Sequence, residues 1–277
     1  MITSFCHQFA AALLLAAALP ASAASFDCAK AGTNIEKAVC ADPQLTVLDE
    51  KLAAAYRNAV AALGKLDIRP KQREWARKRA ACSDEKISEC LSQAYTGRIE
   101  LLSKLAAAAR DPARHLTLGA KDGPYNIEAI MTEDCCQARA FVFISRKSDH
   151  KMLLVLNEEN LEVEPPDFAV RVEDYNQDGI KDVVLRRGIG FHGWAYFLSK
   201  PDGSLAENQV LAELESDAND GLELEPNGEV RVAHRDSPRD YYIANYKVVE
   251  GKPVLTRKET YRGDELVESW PRHKKKR

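Results

Sequence analysis

Apolar side chains recur at helical spacing along residues 33–107, and at strand spacing from Tyr125 onward. In "DPQLTVLDEKLAAAYRNAVAAL" Leu45, Leu48, Leu52, Tyr56, Ala59 and Leu63 fall on one stripe. Asp42 suits the cap, Pro43 the first helical position and Gly64 the stop. "PKQREWARKRAAC" predicts a short helix with Trp75 as its one large apolar anchor. "SDEKISECLSQAYTGRIELLSKLAAAA" repeats the stripe with Ile87, Leu91, Ala94, Tyr95, Arg98, Leu102 and Leu105. Three such helices can share one small core.

Residues 110–124, "RDPARHLTLGAKDGP", break the helical period and are expected to be a linker. The segments "YNIEAIM", "RAFVFIS", "KMLLVL", "DVVLRR", "WAYFLS", "GEVRVAH" and "YYIANYKVV" then predict strands. Asp202-Gly203, Asn227-Gly228 and Glu250-Gly251 mark tight turns between them. No helix-length stripe interrupts this half. The expected fold class is α+β by separate domains. A disulfide-stapled helical bundle over 24–109 precedes an all-β domain over 125–268, a sandwich or partial propeller of roughly eight to ten short strands. A basic tail over 269–277 follows.

The first residues change the picture of where this fold forms. An alanine-rich run with Leu13, Leu14, Leu15 and Leu19 is too short to span a membrane, and it ends in "ASA" at Ala21–Ala23. A signal peptide over 1–23 is expected, with a periplasmic or secreted mature chain and no stable membrane insertion. Export places six cysteines in an oxidising compartment. Of these, Cys28, Cys40, Cys82 and Cys90 fall in the helical half, and Cys135 and Cys136 are adjacent. The local pairs 28–40 and 82–90 are favoured, although sequence allows three pairings of the first four. Charge is split: residues 24–110 carry 15 Lys+Arg against 11 Asp+Glu, and residues 111–277 carry 24 against 31. The acidic second half argues against a nucleic-acid partner.

The densest candidate chemistry is "VEDYNQDGIKDVVL", residues 172–185. Asp174, Asn176, Asp178, the carbonyl of Ile180 and Asp182 stand at positions one, three, five, seven and nine of a calcium loop, with Gly179 at the sharp turn. Position twelve is Leu185, and strand-like segments flank the loop, so it is no EF-hand. It resembles the strand–loop–strand calcium loop of FG-GAP and related β-repeats, D-x-[DN]-x-D-G-x-x-D. A structural Ca²⁺ of weak affinity is expected, on the order of 10⁻⁴–10⁻³ M.

Two resemblances bear on function. Phe26, Cys28, Lys30 and Ala31, then Glu36 and Cys40, Leu48 and Asp49, Gln72, Trp75 and Arg79, and Cys90, Leu91, Tyr95, Arg98 and Ile99 follow a pattern. It resembles that of the secreted four-cysteine LprI family, known also as DUF1311, over about residues 26–105. The resemblance implies a small helical periplasmic domain in a family named for a lysozyme inhibitor. Inside such a bundle Arg79 and Arg98 are expected to pair with Asp49 or Glu36. Residues 125–262, with the calcium loop and "YFLSKPDGSLAENQVL" from Tyr196 to Leu211, are similar to secreted β-domains. Those include immunity proteins that block lysozyme-like effectors delivered by type IV secretion, by inserting a loop into the glycan cleft.

A blocker of such a cleft needs donors for its two carboxylates and an aromatic for a sugar subsite. "RRGIGFHGWAY" offers Arg186, Arg187 and His192 as donors and Phe191 and Trp194 as aromatics. The expected function is inhibition of lysozyme or a related peptidoglycan hydrolase, including the immunity-protein role. The alternative is an envelope scaffold that joins partners. No catalytic residue is assigned: H-E-x-x-H, G-x-S-x-G and a His–nucleophile pair are all missing from the sequence, so a glycan hydrolase ranks third.

Overall fold

The computed structural model describes residues 24–83, 86–119, 123–133, 139–159, 170–186, 193–216 and 222–271. The signal segment, Cys135 and Cys136, the strand connection 187–192 and the basic residues 272–277 lie outside them.

The first half is four helices: α1 (Asn34–Ala41), α2 (Pro43–Leu63), α3 (Arg69–Arg79) and α4 (Ile87–Ala108). Thr33 and Glu36 form a reciprocal capping box at α1. The amides of Thr33 and Gly32 donate to the Glu36 carboxylate and hold it below the usual carboxylate range. Asp42 caps α2 by accepting from the amides of Gln44, at 2.9 Å, and Leu45. The α2 stripe packs along the α4 stripe, burying Leu45, Leu52, Ala59, Leu91, Tyr95 and Leu102. Disulfides join Cys28 to Cys40 and Cys82 to Cys90, with Cα–Cα distances of 5.8 and 5.7 Å, the local pairs that their spacing favoured.

The second half is three antiparallel meanders in chain order. The first is β1 (His115–Thr117), β2 (Tyr125–Glu133), β3 (Arg139–Arg146) and β4 (Met152–Glu159). The second is β5 (Val170–Glu173), β6 (Asp182–Arg186), β7 (Trp194–Ser199) and β8 (Leu205–Glu207). The third is β9 (Glu223–Leu224), β10 (Val230–Arg235), β11 (Asp240–Val249), β12 (Lys252–Arg262) and β13 (Glu265–Trp270). Meanders stacked in chain order follow the succession of propeller blades rather than the strand exchange of a Greek-key sandwich.

The stack explains why the central strands read as continuous apolar runs. Along β3, Val142 and Ile144 face the second sheet while Phe141 and Phe143 face the helices. Along β6 and β7, Val183, Leu185, Ala195 and Phe197 face the first sheet. Val184, Trp194, Tyr196 and Leu198 face the third. A strand covered on both sides has no polar face, so alternation vanishes. The helices take part in the same stack: Leu63, Ile68, Leu105 and Ala108 share a core with Ile130, Phe141, Phe143 and Val155 of the first sheet.

Three details differ from the sequence expectation. The segment 110–124, expected as linker, contains a 3-10 turn (Pro112–Arg114) and β1, which pairs His115, Leu116 and Thr117 with Ile130, Ala129 and Glu128. The second half also carries one short helix, α5 (Gln209–Ser216), whose Leu211 is fully buried and whose start is capped by Asn208. Its eight residues are too few to read as a helix-length stripe. Finally, β13 runs to Trp270, because Ser269 and Trp270 pair with Glu259 and Lys258; the expected tail from 269 therefore opens in strand.

Candidate functional site

The acidic loop between β5 and β6 lies where the three sheets meet. Tyr125 of the first sheet donates its hydroxyl to the Lys181 carbonyl at 2.5 Å. Gln177, at the tip with φ +57°, donates to the Gly228 carbonyl in the turn between β9 and β10. Gly179 takes φ +85°, the left-handed turn that glycine permits without a side-chain clash. Inside the loop, Asp174 accepts from the amides of Asp178 at 3.1 Å and Gly179 at 2.9 Å, and Asp178 accepts from that of Ile180 at 2.8 Å. Asn176 donates to Asp178 at 3.0 Å.

Asp182 differs from the other four expected ligands. What sets it apart is depth: it is 0% exposed, and it ties the loop to a strand. One accepts the Tyr175 amide at 2.8 Å; the other accepts the amide and hydroxyl of Ser199 at 2.8 and 3.0 Å. Burial pushes its carboxyl up to about 6, against the pull of those three donors. The side chain is thus a strut between the loop and β7. Among the described residues no three His, Cys, Asp or Glu side chains are grouped to hold a metal ion. The oxygens that could hold a hard cation are those of Asp174, Asn176, Asp178 and the Ile180 carbonyl, with the buried Asp182 behind them; six to eight would be needed, the rest from water.

The expected inhibitory segment joins β6 to β7. The strands register Arg186 opposite Trp194, so residues 187–193 connect them at that end of the sheet. Arg187, Phe191 and His192 lie outside the described residues. Trp194 does not match its expected role: it is 7% exposed and packs with Tyr196, Leu211 and Val230, so it cannot fill a partner's sugar subsite. Its large apolar body is what the second sheet needs against the third. Arg171 of β5 lies 4.1 Å from its ring centroid and also donates to the Leu222 carbonyl, while Arg186 lies 5.8 Å away. Two cations therefore hold the aromatic base of the connection. Arg171 was invisible to sequence reasoning, since nothing in "FAVRV" distinguishes it from a solvated charge.

In the bundle, the patterned residues turn inward. The Ser25 amide donates to Asp49 at 2.8 Å, Tyr95 donates to Asp49 at 2.9 Å, and Arg79 donates to the Tyr95 hydroxyl at 2.7 Å. Trp75 meets Tyr95 edge to face at 5.7 Å, and Arg79 lies over both rings. Arg79 thus reaches Asp49 through Tyr95 rather than directly. Arg98 binds neither expected acid; it donates twice to the Gln72 side chain, at 3.0 and 2.9 Å. Burial pushes the Arg98 guanidinium down to about 10. Every one of these contacts builds the domain.

No family model matches this chain. Curated proteins of Mycobacterium bovis and Mycobacterium tuberculosis match 107 residues at 34% identity, which is 38% of this chain and 54% of theirs. Their name is Lipoprotein LprI. The chain spans about half the length of these curated relatives. A solved structure of a Xanthomonas type IV secretion system related protein aligns with 53% of this chain and 81% of its own at 18% identity, with a TM-score of 0.41. The LprI similarity and the two disulfides fit an extracytoplasmic protein. Among the described residues no helix is long and apolar enough to cross a membrane.

Proposed function

We propose that this chain is a non-catalytic extracytoplasmic binding protein that inhibits lysozyme or a related peptidoglycan hydrolase. The observation that carries the reading is the similarity to LprI over 107 residues, together with the four-cysteine pattern of a family named for a lysozyme inhibitor. The contact is assigned to the β6–β7 connection, with Arg186, Arg187, Phe191 and His192 facing the enzyme and Trp194 anchoring the segment from below. Preorganisation supports this choice, since ordering a floppy loop on binding costs affinity. Trp194, held by Arg171 and Arg186, fixes one end of the segment in advance.

Calcium, in this reading, is structural: bound by Asp174, Asn176, Asp178 and the Ile180 carbonyl, it tightens a loop that the Asp182 strut already ties to β7. The envelope-scaffold alternative, with two halves binding separately, is disfavoured by the core that the halves share.

A peptidoglycan-clearing assay tests the proposal. The mature chain is mixed with c-, g- and i-type lysozymes and a secreted lysozyme-like effector, in calcium and in EDTA. Inhibition that weakens in EDTA, and that Arg187→Ala with His192→Ala removes without unfolding the sheets, is expected. Failure against all four enzymes would overturn the proposal.

A further inference from the structure

The helix α3 is built unlike its neighbours. It has no buried residue, and six of its eleven residues are Lys or Arg. Its inner side is held by two hydrogen bonds, Arg98 to Gln72 and Arg79 to Tyr95, and by Trp75, which packs edge to face on Tyr95 against the bundle core. Lys71 and Lys78 are both spent on Glu74, each at 2.8 Å. The outer side carries a different set. Lys65, Arg69, Arg73 and Arg77 recur every fourth residue and are all exposed. On a helix this spacing aligns the three arginines on one face at about 6 Å per step. Arg69 pairs with Asp67 at 2.8 Å. Arg73 and Arg77 meet no carboxylate within ion-pair distance among the described residues, nor does Lys65. Like charges one turn apart repel, so the row is an unfavourable arrangement until an anion neutralises it.

The charge of the whole chain points the same way. Residues 24–110 carry four more cations than anions, whereas residues 111–277 carry seven more anions than cations. Apart from the basic end at 272–277, a flat anionic surface would attract the bundle and repel the β half. The row is mostly guanidinium, which forks onto phosphate oxygens in pairs. The exposed face of α3 adds no large apolar side chain to insert between acyl chains, and no helix among the described residues is long and apolar enough to cross a membrane.

We infer that the outer face of α3 is a peripheral docking surface for the phosphate headgroups of an anionic phospholipid bilayer, engaged through Arg73 and Arg77 with Arg69 and Lys65 in support. The contact is electrostatic, reversible and independent of the inhibitory segment. It holds the bundle to the surface.

Co-sedimentation of the full mature chain with vesicles tests the inference. Vesicles containing phosphatidylglycerol are expected to bind in dilute salt and to release the protein in about 1 M salt, where the Debye length is about 3 Å. Pure phosphatidylcholine vesicles should not bind. Arg73→Gln with Arg77→Gln should weaken binding about 25-fold, at about fivefold per cation. Arg73→Lys with Arg77→Lys should keep most of it, and circular dichroism checks that each variant is folded. Removing the same charge elsewhere, by Lys51→Gln with Lys252→Gln, should leave binding unchanged. The inference is overturned if both vesicle types bind alike, if the Arg→Gln pair binds like the parent, or if the Lys51 and Lys252 changes weaken binding equally. Capture of soluble polyphosphate without vesicle binding also overturns it, because the surface would then serve a phosphate polymer and not a bilayer.

Discussion

The two halves of the molecule bury their polar groups in opposite ways. The helical bundle threads a chain of them through its interior, from the Ser25 amide through Asp49 and Tyr95 to Arg79, and adds two disulfides. Its helices are few, and a core of this size is marginal without such staples. The stacked sheets instead bury hydrocarbon on both faces of their central strands. They keep one carboxylate deep inside, Asp182, where a loop must be tied to a strand. A small domain specifies its shape with directional bonds. A layered one does so by packing and needs directional bonds only where a loop leaves the layers.

The comparison breaks most sharply where the halves meet. Phe143 is 1% exposed and lies between the helices and the first sheet. Phe143→Ala should cost about 3–5 kcal/mol and lower the stability of helices and sheets together. Thermal unfolding followed by far-ultraviolet dichroism and by tryptophan fluorescence should show one shifted transition; two separating transitions would mean that the halves fold independently.

Asp182→Ala acts on the β half alone. It strands the amides of Tyr175 and Ser199, and should cost about 2–4 kcal/mol at about 1–3 kcal/mol per unpaired buried group, less whatever water can restore. Chemical denaturation would check the loss, and hydrogen exchange should locate it at Tyr175 and Ser199.

The smallest effect belongs to the bundle. Lys71 and Lys78 hold the Glu74 carboxyl down to about 2. Its folded pKa lies below the ordinary carboxylate value, so the stabilisation is present above about pH 4.5 and is lost as pH falls toward 2. About a third of the Glu74 side chain is exposed, and water screening limits the loss to about 1 kcal/mol or less. Acid titration of the parent against Glu74→Gln should show that difference.

Sequence and structure agree best where one face of an element is polar. The α2 and α4 stripes, the Asp42 cap and the Glu250-Gly251 turn, with φ of +50° and +75°, were all legible. Elements covered on both sides or only briefly apolar were harder. Trp194 offers the same letter whether it protrudes or packs, and only the third sheet and Arg171 decide that it packs. The α5 helix needed the burial of Leu211 to be seen, and β1 needed its partner β2. For Asp182, spacing matched a ligand position, yet two amides and a hydroxyl from Tyr175 and Ser199 claim its oxygens, and Ser199 stands seventeen residues away. Tertiary partners of that kind leave no local trace.

The core shared by α2, α4, β2 and β3 also bears on the order of events as the chain is made. Both disulfides close loops of few residues, with separations of 12 and 8, and can form before any strand has emerged. Leu63, Ile68 and Leu105 then wait uncovered until Phe141 and Phe143 arrive, more than thirty residues after Leu105. The early domain is locked in shape while one of its flanks is still wet. A chain cut near residue 110 would therefore leave both pieces with an apolar surface to hide.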